Sequence, residues 1–397
     1  MIFIIESSGV PIYNRIASAF TKKLMEFGHT VHFIDASTFT DEEFVKTINN
    51  INFDYYISTN ELNKVQYYST EKRLFLFELI NGKIIYIHQD NLFSCINDIQ
   101  TINLKANALS RTSYRSFHFA IEKRNVDYLK SINIQNSFKI NYATEFELPV
   151  RHKDFKYGVS FVGHLMTTTK LYPIESLKYA TLTMGAVWNK VNQSNFNIEN
   201  YFYDHLRLNP ILKRLIDPEL NYPDDIYFYH FIANLNKLSS AYRGDILKLL
   251  IDKKIEIIGG DLSYGKIDNP LIKFDQSNIL YHPATLDYNS TMNIYNESQI
   301  NLNISSLQFD YALNPRIFDC FASGGFLLTD RMPELSDLFE NSDLISYNSA
   351  DELNFKISYY ADKSNSNRRN EITSYMNQQI LTKYNYSVLV NQILSLI

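Results

Sequence analysis

The chain has 397 residues, 45% of them apolar and 20% charged, with a formal net charge of −5. That length is too great for one ordinary core and suits two folded domains. The mild negative charge supplies no basic field for nucleic acid or acidic lipid, and two distant cysteines in apolar contexts, Cys95 and Cys320, read as buried free thiols rather than a disulfide framework or metal site.

The first apolar stretch, Ile2 to Ile5, is a strand, too short and without the basic flank of a secretory leader. No apolar run reaches the ~20 residues of a membrane span, so a cytoplasmic protein is expected. After the turn Ser7-Ser8-Gly9, Ile16, Phe20, Leu24 and Met25 set a helical period that Gly28-His29 closes, and Val31 to Ile34 is the next strand. This βαβ opening places Ser8 and Gly9 where parallel sheets hold ligands, although no dinucleotide fingerprint is present. Asp35, at a strand end, fits either a ribose contact or a cap. Further strands are expected at Asp54–Ser58, Lys83–Ile87, Phe117–Ala120 and Phe138–Ile140. Helices are expected at Asp41–Ile48, Arg73–Leu79, Cys95–Ala106 and Asn125–Ser131. His88 and Asp90 follow the strand Lys83–Ile87, at an edge where ligands sit, although a lone histidine there is often structural. Residues 1–150 thus form one α/β domain.

Tyr157 to Val162 opens a second domain, 151–380, its first strand ending at Gly163-His164. Residues 171–242 are almost free of glycine and carry aromatic-rich helical spacing, clearest at Ile226, Tyr229, Ile232 and Leu235. They read as a helical insertion serving oligomerisation, acceptor recognition or bulk. The α/β alternation resumes with a helix at Arg243–Asp252 and a strand at Ile255–Ile258 ending in Gly259-Gly260-Asp261, either a phosphate approach or a plain turn. A short strand at Ile279–Tyr281 precedes His282 to Thr285, and Ile300–Ile304 is another strand. Helices follow at Ala350–Tyr360, Arg368–Leu381 and Tyr386–Leu394, and 381–397 is a terminal helical segment able to pack back on the first domain.

The most informative stretch is Asn314 to Glu334, NPRIFDCFASGGFLLTDRMPE. It reads as a polar mouth at Asn314 and Arg316, an amphipathic helix with Asp319, a stop at Gly324-Gly325, and the buried strand Phe326–Thr329. An arginine at the start of a helix suits an anion.

In order, SFVGH, IEIIGGD, INLNISS, PRIFDCFASGGFLLTDRMPEL and SADEL resemble the C-terminal domain of GT-B glycosyltransferases, closest to the CgeB-like, spore-maturation-type branch. The resemblance is dense over residues 255–360. It implies an α/β GT-B fold of two Rossmann-like domains facing across a cleft, and a nucleotide diphosphate sugar donor, UDP- or GDP-linked. It further implies a hydroxyl acceptor on a glycan, protein or surface polymer, and transfer with neither cofactor nor metal. By that likeness Arg316 carries the diphosphate, Asp319 the ribose, and Gly163, His164, Gly259, Gly260, Asp261, Tyr281 and Thr285 line the donor pocket, with Asn314 beside them. Ser8 and Gly9 resemble the glycine loop facing the donor, and His88 or Asp90 is the base if the enzyme inverts. Tyr311 stands where retaining members carry their first acidic residue, a departure from the motif. A nucleotide-sugar 2-epimerase and an inactive GT-B assembly protein are the rival readings. A homo-oligomer joined through the insertion is a further expectation.

Overall fold

A computed structural model describes residues 1–7, 11–59, 68–69, 74–94, 96–163, 180–209, 211–216, 221–250, 253–259, 279–283, 285 and 287–397. Two parallel six-stranded sheets organise the chain. The first contains β1 (Ile2–Ser7), β2 (Thr30–Asp35), β3 (Tyr55–Ser58), β6 (Lys83–His88), β7 (Ser116–Ala120) and β8 (Ser137–Lys139), in the order β2-β1-β3-β6-β7-β8. A two-stranded antiparallel ribbon, β4 (Tyr68–Ser69) and β5 (Leu74–Phe75), lies apart from it in the strand order. The second sheet contains β9 (Tyr157–Val162), β10 (Ile255–Ile258), β11 (Ile279–His282), β12 (Ser298–Asn303), β13 (Leu327–Asp330) and β14 (Ser346–Tyr347). Its order, β11-β10-β9-β12-β13-β14, is the Rossmann sequence of two strand runs diverging from the centre. The strands are short apolar runs because helices cover parallel sheets on both faces; Phe3, Ile4, Ile5, Ile84, Ile85, Ile300 and Leu302 are all buried.

The chain forms two compact units. One comprises Met1–Tyr142, Tyr222–Ala233 and Tyr386–Ile397, the other Ala143–Asn221 and Asn234–Asn385. The boundaries therefore differ from a simple division near residue 150. The terminal helix Tyr386–Leu394 belongs to the first unit, where Tyr386 meets Phe20 edge to face. The helix Asp224–Asn236 contributes most of its length to the first unit as well. The spacing of Ile226, Tyr229, Ile232 and Leu235 predicts a single buried face, but Tyr227, Phe228 and Phe231 between them are buried too. A helix apolar on every side is buried on every side. Within the first unit Tyr229 packs edge to face on Phe93 and Tyr128, and Arg124 pairs with Asp225.

Two local expectations shift. The run from Leu74 to Leu79 divides into β5 and the helix Leu76–Leu79, because a short apolar run suits either state. The helix expected from Cys95 begins at Ile99, since Asp98 caps it by accepting from the Thr101 amide at 2.7 Å. Cys95 itself lies outside the described residues. Cys320 is a buried free thiol, as its context implied.

Candidate functional site

In an open parallel sheet the ligand crevice lies beyond the carboxyl ends of the strands where the order reverses. In the second sheet that point lies between β9 and β12. Val162 ends β9, Asn303 ends β12, and the helix Pro315–Ala322 follows β12. Asn314 caps this helix by accepting from the Arg316 amide at 3.1 Å, with Pro315 in the first position. Ile317, Phe318 and Phe321 bury its inner face. Its end is fixed by Gly324, whose φ of +70° and contact with the Pro149 carbonyl, 2.5 Å from where a Cβ would stand, admit only glycine. Glu334, buried, accepts from the Leu313 amide at 2.6 Å and so secures the loop leading into the helix.

These constraints aim Arg316 at the reversal point. Its guanidinium lies over the Phe161 ring, 5.2 Å from ring centre, and Nη1 donates to Asn303 Oδ1 at 2.5 Å. Nη2 is 2.6 Å from where a Cβ on Gly163 would sit, so the glycine after β9 makes room for it. Among the described residues Arg316 pairs with no carboxylate; its partners are a neutral amide and an aromatic face. Arg243 stands near, donating from Nε to the Ile304 carbonyl at 3.0 Å. Burial and then the neighbouring Arg316 push its ionisation down to about 10, which leaves it charged at neutral pH. The nearby carboxylate is Asp330, fully buried and held by the Ser305 amide at 3.1 Å and hydroxyl at 3.0 Å. Burial raises its pKa, opposed by Lys190 and those hydrogen bonds.

The other expected donor contacts divide. Asn314 is buried, its side chain committed to the helix cap and, through Nδ2, to Asn303 Oδ1 at 2.8 Å. Asp319 is buried on the helix, not an exposed surface carboxylate. Tyr311 donates to Asp337 at 2.6 Å. Gly259 follows β10, its position packed against the Gly163 backbone, while Tyr281 on β11 is half-buried and Thr285 meets the Thr291 hydroxyl at 3.0 Å. Ser8, Gly9, His164, Gly260 and Asp261 lie outside the described residues. Asn303, missed in the sequence, had one signal: with Asn301 it places amides alternating with Ile300 and Leu302 in a buried central strand.

In the first unit His88 ends β6 and is buried, its Nε2 3.0 Å from His118 Nδ1 on β7. The rings stack with Tyr86, 4.5 Å from His118 between centroids. Burial drives His88 far below its usual range and His118 down to about 3, with Lys105 adding to both. Both rings are neutral at physiological pH, and Nε2 of His88 is engaged with its neighbour. Asp90, two residues on, is part-exposed and accepts from the Tyr13 hydroxyl at 2.7 Å. Buried Glu6 on β1 accepts from Tyr56. Asp35 caps a turn by accepting from the Ser37 amide at 3.0 Å, the second of its two expected roles. Among the described residues no three His, Cys, Asp or Glu side chains converge on a metal position, and no helix is long and apolar enough to cross a membrane.

Residues 243–395 match the family model described as glycosyl transferase-like. Solved structures extend the likeness to the whole chain. The β-glucosyltransferase of T4 phage is 13% identical, with TM-score 0.53 over 99% of this chain and 98% of that one. Anabaena HepE, solved with UDP and glucose, is 10% identical, with TM-score 0.54 over 100% and 98%. Sucrose-phosphate synthase of Thermosynechococcus elongatus is 8% identical, with TM-score 0.60 over 100% and 98%. No curated protein sequence matches. The fold is that of the GT-B glycosyltransferases, an α/β architecture with two parallel six-stranded sheets and flanking helices.

Proposed function

We propose that this protein is a glycosyltransferase that takes a sugar from a nucleotide diphosphate donor and passes it to a hydroxyl acceptor. One observation carries the reading: Arg316, at the reversal point of the second sheet, has no carboxylate among its partners. A half-buried cation with only an amide and a ring for company is costly until an anion arrives. A guanidinium binds a diphosphate in bidentate fashion and offsets the charge that grows as the glycosidic bond breaks. The glycosyl transferase-like match over 243–395, and the UDP complexes of the T4 phage and Anabaena proteins, support the same chemistry.

In this reading the acceptor oxygen attacks the anomeric carbon, the bond to the diphosphate oxygen breaks, and the acceptor proton passes to a base. Asp90 suits that role better than His88, whose Nε2 meets His118 and whose basicity burial removes. Tyr311, which donates to Asp337, stands in place of the retaining carboxylate, so the retaining motif's first acidic contact is not part of this reading. The transfer is read as metal-independent, with arginine offsetting the leaving charge. Because the T4 phage enzyme has been crystallised with UDP and Mn2+, the test includes chelator. The net charge of −5 favours a glycan, protein or surface-polymer acceptor over nucleic acid. The CgeB-like branch remains part of this proposal, resting on the stretch from 255 to 360.

The test is thermal stabilisation by UDP, GDP, CMP, dTDP and ADP, with and without EDTA. Selective stabilisation that survives EDTA is expected. Loss of one charge-assisted contact in Arg316→Ala weakens binding roughly ten- to a hundred-fold. No shift with any nucleotide at millimolar concentration returns the chain to a non-enzymatic assembly role.

A further inference from the structure

We propose that Asn303 is the positioning residue of the anion site, a neutral strut that aims Arg316 without discharging it, and that Asp330 and Thr329 fix which way this strut faces. The inference rests on the donor-site reading above. An asparagine amide has an accepting end and a donating end, and here the network assigns both. Nδ2 donates to Thr329 Oγ1 at 2.8 Å and lies 3.4 Å from Asp330 Oδ1. The Thr329 hydroxyl donates toward Asp330 Oδ1 at 3.2 Å and so offers Nδ2 a lone pair, while Arg316 Nη1 and Asn314 Nδ2 can only donate, so a turned amide would face N–H against N–H on that side. Oδ1 is thereby presented outward, where it accepts from Asn314 Nδ2 at 2.8 Å and Arg316 Nη1 at 2.5 Å. The backbone carbonyl of Asn303 is itself held by the Tyr347 hydroxyl at 3.1 Å.

The placement of charge is the point. A carboxylate is present, but it stands one side chain behind the arginine, held by Ser305 and separated from the guanidinium by an amide. Were the carboxylate at position 303, it would form a near-ideal ion pair with Arg316. The helix would be held equally well and the cation would no longer be available. A neutral residue at the end of β12 keeps geometry and charge as separate properties.

The experiment exchanges the two groups. The double variant Asn303→Asp with Asp330→Asn preserves net charge and side-chain volume, and moves the negative charge onto Arg316. The probes are UDP, GDP and inorganic pyrophosphate, measured by calorimetry alongside a urea unfolding curve. The expected result is unfolding at the wild-type midpoint or above, with affinity for pyrophosphate and the preferred nucleotide reduced roughly ten-fold or more. Wild-type affinity in a folded double variant overturns the proposal. Should the exchange not fold, Thr329→Val provides the second arm, removing the hydroxyl that orients Nδ2. There a several-fold loss of pyrophosphate affinity in a variant that urea titration shows to be folded under the assay conditions supports the strut, and unchanged affinity refutes it. If the wild-type chain binds neither nucleotide nor pyrophosphate, the donor-site reading fails and this inference falls with it.

Discussion

The two sheets of this chain share a parallel architecture, yet the ends of their central strands differ in charge. At the end of β12 an amide supports an arginine that meets no carboxylate among the described residues. At the ends of β6 and β1 polar groups meet one another: His88 with His118, Glu6 with Tyr56, Asp90 with Tyr13. The first arrangement is prepared for an anion. The second pairs two neutral histidine rings and has a part-exposed carboxylate, Asp90, at its margin. One scaffold thus carries two different sets of side chains at the ends of its central strands.

The comparison is broken most severely at Asp90. Asp90→Asn keeps the Tyr13 hydrogen bond but removes the base, and transfer is expected to slow by roughly 10²- to 10⁴-fold while nucleotide affinity stays constant. A rate within two-fold of wild type, in a donor-hydrolysis or transfer assay, would show that the proton leaves by another route. Next in size is Gly163→Ala. Its methyl group meets Arg316 Nη2 at 2.6 Å and a backbone at φ +156° resists it, so nucleotide affinity falls about ten-fold and the fold loses about 1 kcal/mol. Unchanged affinity would place the guanidinium away from the ligand.

The smallest effect tests the neutrality of the first sheet. The folded pKa of His118, about 3, lies below its unfolded value near 6.5. Above pH 6.5 both states are unprotonated and the group is silent. As pH falls from 6.5 toward 3 the unfolded chain takes the proton and the folded one does not, so stability declines by about 1.4 kcal/mol per pH unit for each such histidine. Urea unfolding at pH 7.5, 6 and 5 should show a slope shallower by about that amount in His118→Gln. Equal slopes would mean that the ring titrates freely in the folded protein.

Much of this was legible beforehand, for a local reason. Helices and strands follow from periodicity and glycine stops, so β1, β6, β9, β12 and the helix Pro315–Ala322 fall where spacing puts them. Arg316 could be singled out because its setting is local too: an N-cap, a proline and a helix start occupy consecutive residues. Asn303 could not, since its partners stand on a helix start and on the neighbouring strand β13, and only the register of β12 with β13 brings Asn303 opposite Thr329. His88 was visible as a strand-end histidine, but its pairing with His118 depends on the register of β6 and β7.

What the sequence by itself determined is therefore the α/β alternation, the glycine hinge at Gly324 and the identity of the cation. Each is set by neighbours along the chain, through dihedral preference and hydrophobic period. Tertiary structure alone decided that the cation meets no carboxylate among the described residues, that the aromatic helix Asp224–Asn236 is buried all round, and that His88 is a neutral core ring. Those properties depend on which distant side chains arrive within hydrogen-bonding distance and how much water is left there, and neither is written in spacing along a chain.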